Sequence, residues 1–123
     1  MHVQVGEDRG WSVVSVRGVV DVATAPDLRQ RLQEVQFAGA TTVLVDLDRV
    51  ELLDSFGVGV LVDAHKRARS LGGQLAVLVT RERLRRVFSL AGLDVTLDLI
   101  ADAEEVLGTG AADGPASEAG RDR

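Results

Sequence analysis

The chain of 123 residues has no cysteine, so neither a disulfide framework nor thiolate chemistry is open to it. Aromatic residues make up only 3% of it, Trp11, Phe37, Phe56 and Phe88. Its core must therefore be built from Val, Leu, Ile and Ala, which suits a sheet covered by helices. No apolar run approaches the ~18 residues of a membrane span. The opening Met-His-Val-Gln-Val-Gly-Glu-Asp has neither the basic nor the apolar region of a signal peptide, so the cytoplasm is the expected location. Positive charge is also in short supply: 14 Lys and Arg against 19 Asp and Glu leave a net charge of −5. Generic nucleic-acid binding needs a basic footprint, and this balance speaks against it.

What is present is ordinary globular material, 46% hydrophobic and 27% charged, in the length range of one domain. Residues 2–6 alternate as a short strand, Glu7-Asp8-Arg9-Gly10 is turn chemistry, and residues 11–17 read as the second arm of an antiparallel hairpin closed by Gly18. Thr24 then stands as the N-cap of a helix, with Pro26 in its first turn, Asp27 as the acid of a capping box, and Gly39 as its stop. Residues 42–47, Thr-Val-Leu-Val-Asp-Leu, are a near-continuous apolar run fit for a strand buried on both faces. A second long helix is expected from about Ser55 to Leu71, a buried strand from Leu75 to Val79, and a helix from Arg81 to Ala91. Val95, Leu97 and Leu99 alternate as a strand, and Asp102-x-x-Glu105 caps a last short helix.

From Gly108 the composition turns to Gly, Ala, Asp, Ser, Pro and Arg without apolar periodicity. Residues 1–108 are expected to form the domain and residues 109–123 a disordered tail. The order β-β-α-β-α-β-α-β-α predicts an α/β fold. Its mixed sheet opens with an antiparallel hairpin and continues with parallel strands joined by helical crossovers.

The segment with the most specific content is Leu53-Asp54-Ser55-Phe56-Gly57-Val58-Gly59-Val60-Leu61. Ser or Asp before a helix most often caps it, accepting from amides that would otherwise go unpaired. Gly57 and Gly59 in the first turns each cost about 1 kcal/mol relative to Ala. Such glycines fit a place where a neighbouring strand or a bound partner must come close to the backbone.

This segment resembles the Asp-Ser-(Ser/Thr)-Gly-Leu-Gly-Val-Leu motif of bacterial anti-sigma factor antagonists, members of the STAS family that they share with sulphate transporters. Arg17-Gly-Val-Val-Asp21-Val-Ala-Thr-Ala-Pro-Asp-Leu is similar to the family's entry to its first helix, and Val43-Leu-Val-Asp46-Leu to its central strand. Leu84-Arg-Arg-Val-Phe-Ser-Leu-Ala-Gly92-Leu93 and Ala103-Glu-Glu-Val-Leu107 resemble its ending. The likeness covers about residues 3–107 in register.

The resemblance implies a STAS fold with about four helices packed mainly on one face. It implies a domain that binds an anti-sigma factor, itself a serine kinase of the histidine-kinase ATPase type, and so releases the sigma factor. Phosphorylation of Ser55 would switch the domain off, and a serine phosphatase would restore it. Asp54 is then the acid of the motif, Asp21 the loop acid beside it, and Asp21 with Asp54, Ser55, Phe56, Gly57, Val58 and Gly59 the partner surface. Phe56 departs from the hydroxyl residue common at that position, and so bears on which partner reads the site. A monomer or weak dimer, with no cofactor and no catalytic role, completes the expectation.

Other signals point elsewhere. Asp46-Leu-Asp48 at a strand end would suit a receiver or an Asp-x-Asp phosphatase. The acidic pair Glu7-Asp8 lies in a turn, however, and the only lysine, Lys66, falls within a helix. Asp46 reads better as a strand-end acid that binds loop amides. Gly57-Val-Gly59 lacks the Lys-Ser/Thr that a nucleotide loop needs. His2 and His65 have no second metal-type ligand at helical spacing. Arg81-Glu-Arg-Leu-Arg-Arg86 reads as the wet face of its helix, or else as a docking patch for an acidic surface. A STAS scaffold of a transport or sensory assembly, never modified at Ser55, is the alternative function.

Overall fold

Arg9 and Gly10 turn the chain back on itself with φ of 50° and 88°, the left-handed pair that a tight hairpin requires. They join β1 (His2–Asp8) to β2 (Trp11–Val20) in antiparallel register, with His2 opposite Arg17 and Asp8 opposite Trp11. The computed structural model describes residues 1–108. The expected tail, 109–123, lies outside the described residues.

After the hairpin come α1 (Ala25–Phe37), β3 (Thr42–Leu53), α2 (Ser55–Ser70), β4 (Gln74–Leu78), α3 (Glu82–Leu90), β5 (Asp98–Ile100) and α4 (Glu104–Leu107). The strands form one sheet in chain order, β1-β2-β3-β4-β5, and every pair after the hairpin is parallel. The expected mixed architecture is therefore the observed one.

The two faces of the sheet are covered unequally. Val14, Val16, Val43, Val45 and Leu47 point to one side, where Leu28 and Leu32 of α1, Leu61 of α2 and Phe88 of α3 complete the main core. The alternate residues Trp11, Leu44, Ala76, Leu78 and Ile100 point to the other side, under Val106 and Leu107 of α4. Three helices thus share one face, and the short α4 covers one part of the back. An Arg9 fork, with Nη1 and Nη2 donating to the two Glu104 oxygens at 2.9 and 2.8 Å, ties the hairpin turn to α4. That pairing pushes the Glu104 carboxyl below its ordinary value and the Arg9 guanidinium above its own.

Several local expectations are corrected. Gly18 does not close β2; the strand runs through it to Val20 across a register shift against β3. β3 likewise continues to Leu53, well past the predicted end, because its far half pairs with β2 after β4 has stopped. Asp46 therefore sits inside a strand, and its Oδ1 accepts from the Asp48 amide at 2.9 Å where one extra β3 residue is accommodated.

The capping box proposed for α1 is not formed. The Thr24 hydroxyl donates back to Val19 O at 2.9 Å instead of capping the helix. Val95 is exposed and outside any strand; only Asp98–Ile100 pairs with β4. The Asp102–Glu105 cap does form, with Glu105 Oε2 accepting from the Asp102 amide at 3.2 Å and Asp102 Oδ1 from the Glu104 amide at 3.0 Å.

Candidate functional site

The ends of β2 and β3 lie side by side, with Val20 paired to Leu53. A backbone hydrogen bond from Asp54 N to Val20 O, 3.1 Å, carries that pairing one residue past the strand. The β2–α1 loop and the opening of α2 are consequently held against each other. Asp21 organises the loop: its Oδ1 accepts from the amides of Ala23 at 3.0 Å and Thr24 at 3.2 Å. Its own amide donates to the Thr24 hydroxyl at 3.0 Å.

At the head of α2 the capping task falls to Asp54. Its extended backbone (φ −104°, ψ −175°) presents Oδ1 to the amides of Phe56 at 2.9 Å and Gly57 at 3.2 Å. Ser55, the first helical residue, is exposed, and its hydroxyl makes no hydrogen bond with the described residues. The sequence left the capping role open between Asp54 and Ser55. The geometry assigns it to Asp54 and leaves the Ser55 hydroxyl facing water.

The two glycines also part company. A Cβ on Gly57 would stand 2.5 Å from Leu53 Cδ1 and 2.7 Å from Val20 Cγ1, so this glycine lets α2 settle on the strand ends. A Cβ on Gly59 would meet nothing within 4 Å, so no part of the described fold demands glycine there. Of the seven residues predicted for the partner surface, Ser55 and Phe56 are exposed, while Asp21, Asp54 and Gly59 are half-buried. Gly57 and Val58 are buried; Val58 belongs to the main core and positions the helix from beneath.

Two neighbours outside the predicted partner surface join the same end of the molecule. Val22, one residue beyond Asp21, is 59% exposed, and Leu52, one before Leu53, is 51% exposed. With Phe56 at 56% they place three bare apolar side chains within a few residues of the Val20–Asp54 bond. Only the strand register exposes this grouping; no local pattern could have announced it. Among the described residues no group of three or more His, Cys, Asp or Glu could hold a metal ion. None of the described helices is long and apolar enough to cross a membrane.

The comparisons with known proteins agree with this architecture. The family model for the STAS domain matches residues 2–106. The chain belongs to the STAS family. It is 34% identical over 104 residues to an anti-sigma-B factor antagonist of Bacillus subtilis, an alignment covering 85% of this chain and 94% of that one. Among solved structures, an anti-sigma factor antagonist from Mycobacterium paratuberculosis superposes with a TM-score of 0.78 at 32% identity, over 85% of this chain and 88% of that one. The Bacillus cell fate determinant SpoIIAA in its phosphorylated form matches with a TM-score of 0.65 at 25% identity, over 85% and 95% of the two chains. The anti-sigma factor antagonists that these relatives represent are regulators, not enzymes.

Proposed function

We propose that this STAS domain is an anti-sigma factor antagonist switched by phosphorylation of Ser55. One observation carries the reading: Asp54 supplies the α2 cap, so the exposed Ser55 hydroxyl has no structural duty. A kinase can take it without dismantling the helix. The names of the relatives, and the SpoIIAA structure in its phosphorylated form, support the same role.

The chemistry of the switch follows from the geometry. A phosphoserine carries about −1.5 to −2 charges at neutral pH. On the first residue of α2 it faces the positive end of the helix dipole, so the fold tolerates it. The same charge enters a surface where the Asp54 and Asp21 carboxylates already engage the local amides. A partner shaped for a neutral hydroxyl, pressed against Val22, Leu52 and Phe56, would have to bury an unpaired dianion. Binding is lost while the domain stays folded.

In this reading the partner is a cytoplasmic anti-sigma factor that is itself an ATP-dependent serine kinase, and a serine phosphatase resets the switch. The contact surface is the Asp21 loop with Asp54, Ser55, Phe56 and Gly59, held in place by Gly57 and Val58 from below. The test compares binding of the unmodified domain and the Ser55→Asp variant to the anti-sigma kinase of the source organism. The unmodified chain should bind and be phosphorylated at Ser55 with ATP, and the variant should do neither. Equal binding by both would overturn the switch.

A further inference from the structure

The part of the back face that α4 leaves uncovered carries an unusual row. His2 of β1 lies opposite Arg17 of β2, and Arg17 lies opposite Arg49 of β3. Residues paired directly across strands project to the same side, about 5 Å apart. Val16 and Val50, the neighbours of the two arginines, point into the helical core, so the arginines point to the open face. Like charges opposite one another destabilise a sheet. Here they are set together in a chain whose net charge is −5.

Neither guanidinium is paired directly within the described fold. Among the described residues neither Arg17 nor Arg49 has an ion-pair or side-chain hydrogen-bond partner, whereas Arg9 and Arg29 each do. The Asp46 carboxylate lies in the same lining, and its Oδ1 accepts from the Asp48 amide at the irregularity in β3. It makes no ion pair with either arginine in the described fold, so one negative charge stands against two guanidinium groups. Around the row the surface dips into a cavity of about 300 Å³ lined by His2, Gln4, Ser15, Arg17, Asp46 and Arg49. Two guanidinium forks, an imidazole, an amide and a hydroxyl supply donors that outnumber the one acceptor-only carboxylate, Asp46, and planar forks are suited to bidentate contact with tetrahedral oxyanions.

We propose that this cavity binds a phosphate-bearing ligand, with Arg17 and Arg49 clamping the dianion and His2, Gln4 and Ser15 completing its hydrogen bonds. The cavity holds a single phosphoryl group with a small substituent, and the bound charge relieves the repulsion stored in the row. The site is separate from Ser55. It lies on the sheet face opposite α2, and Arg17 is three residues, about 10 Å along the strand, from the Val20 end.

Inorganic phosphate and pyrophosphate, titrated at constant ionic strength into ¹⁵N-labelled protein, test the assignment. Amide shifts should concentrate on residues 2–4, 15–17 and 46–49. The Arg17→Gln/Arg49→Gln double variant should lose affinity at least tenfold while melting no lower than the parent, since removing adjacent like charges relieves repulsion. Gln4→Glu, which adds a carboxylate to the cavity lining at an exposed position, should weaken binding with the arginines intact. Ser55→Asp should leave the affinity unchanged. Shifts spread evenly over the arginine surface, Arg81 and Arg83 included, would overturn the proposal, as would full affinity in the double variant.

Discussion

Asp54 Oδ1 accepts from the Phe56 amide at 2.9 Å, and with that bond the carboxylate takes the capping role that would otherwise tie down the neighbouring hydroxyl. The structural task and the proposed switch are thereby divided between adjacent residues. Asp54 holds α2, and the Ser55 hydroxyl is left free for the modification proposed above.

The division is measurable by substitution. Asp54→Ala should destabilise the domain by about 1 kcal/mol, the usual loss when an N-cap oxygen is removed. Ser55→Ala should fall within about 0.5 kcal/mol of the parent, as surface changes away from specific contacts do. Urea denaturation with equal slopes for all three proteins checks both values.

Gly57 and Gly59 should respond in opposite directions to the same substitution. Gly57→Ala drives a Cβ to 2.5 Å from Leu53 and 2.7 Å from Val20, and overpacking of this kind costs about 1–3 kcal/mol. Gly59→Ala meets nothing within 4 Å and should stabilise the helix by up to about 1 kcal/mol. If Gly59 stands under the partner, that more stable variant should bind the anti-sigma factor less well. Paired melting and binding measurements separate the two effects.

Phe56 is 56% exposed and forms no part of either core cluster. Phe56→Ala should leave the melting temperature nearly unchanged and weaken partner binding tenfold or more, as removal of an exposed aromatic anchor does at interfaces. Unchanged affinity, by calorimetry or surface resonance, would place the contact elsewhere.

The Arg9–Glu104 fork gives a pH dependence of definite sign. The Arg9 hydrogen bonds lower the Glu104 carboxyl from its ordinary value of 4.5. Its stabilisation is thus fully present above that value and lost as pH falls through the lower, folded one. α4 should stay docked from neutrality down to the ordinary value of 4.5 and loosen only as the pH falls through the lower, folded one. Trp11, the sole tryptophan, packs in the back cluster with Val106 and Leu107 and reports the change by fluorescence. Glu104→Gln should remove that acid-dependent step, and high salt should blunt it in the parent.

The order of elements could be read from the sequence because each is announced locally: alternation in β1, helical spacing in α1 and α2, a glycine stop at Gly39. The head of α2 could be read for the same reason. What escaped depends on pairing between distant segments. The extension of β3 to Leu53 follows from its partnership with β2, which residues 48–53 do not signal by alternation. Thr24 looked like a cap, yet Val19 O lies within reach of its hydroxyl and wins it. The exposure of Val22 and Leu52, and the alignment of His2, Arg17 and Arg49, arise from register alone.

The central claim is that one phosphate on Ser55 decides whether the domain holds its partner. The most direct measurement is the affinity of the unmodified domain and of the domain phosphorylated at Ser55 for the anti-sigma kinase isolated from the source organism, side by side with their thermal melts. Both forms should unfold cooperatively at similar temperatures, with the phosphorylated form binding at least a hundredfold more weakly. Equal affinities for two equally folded forms would contradict the account.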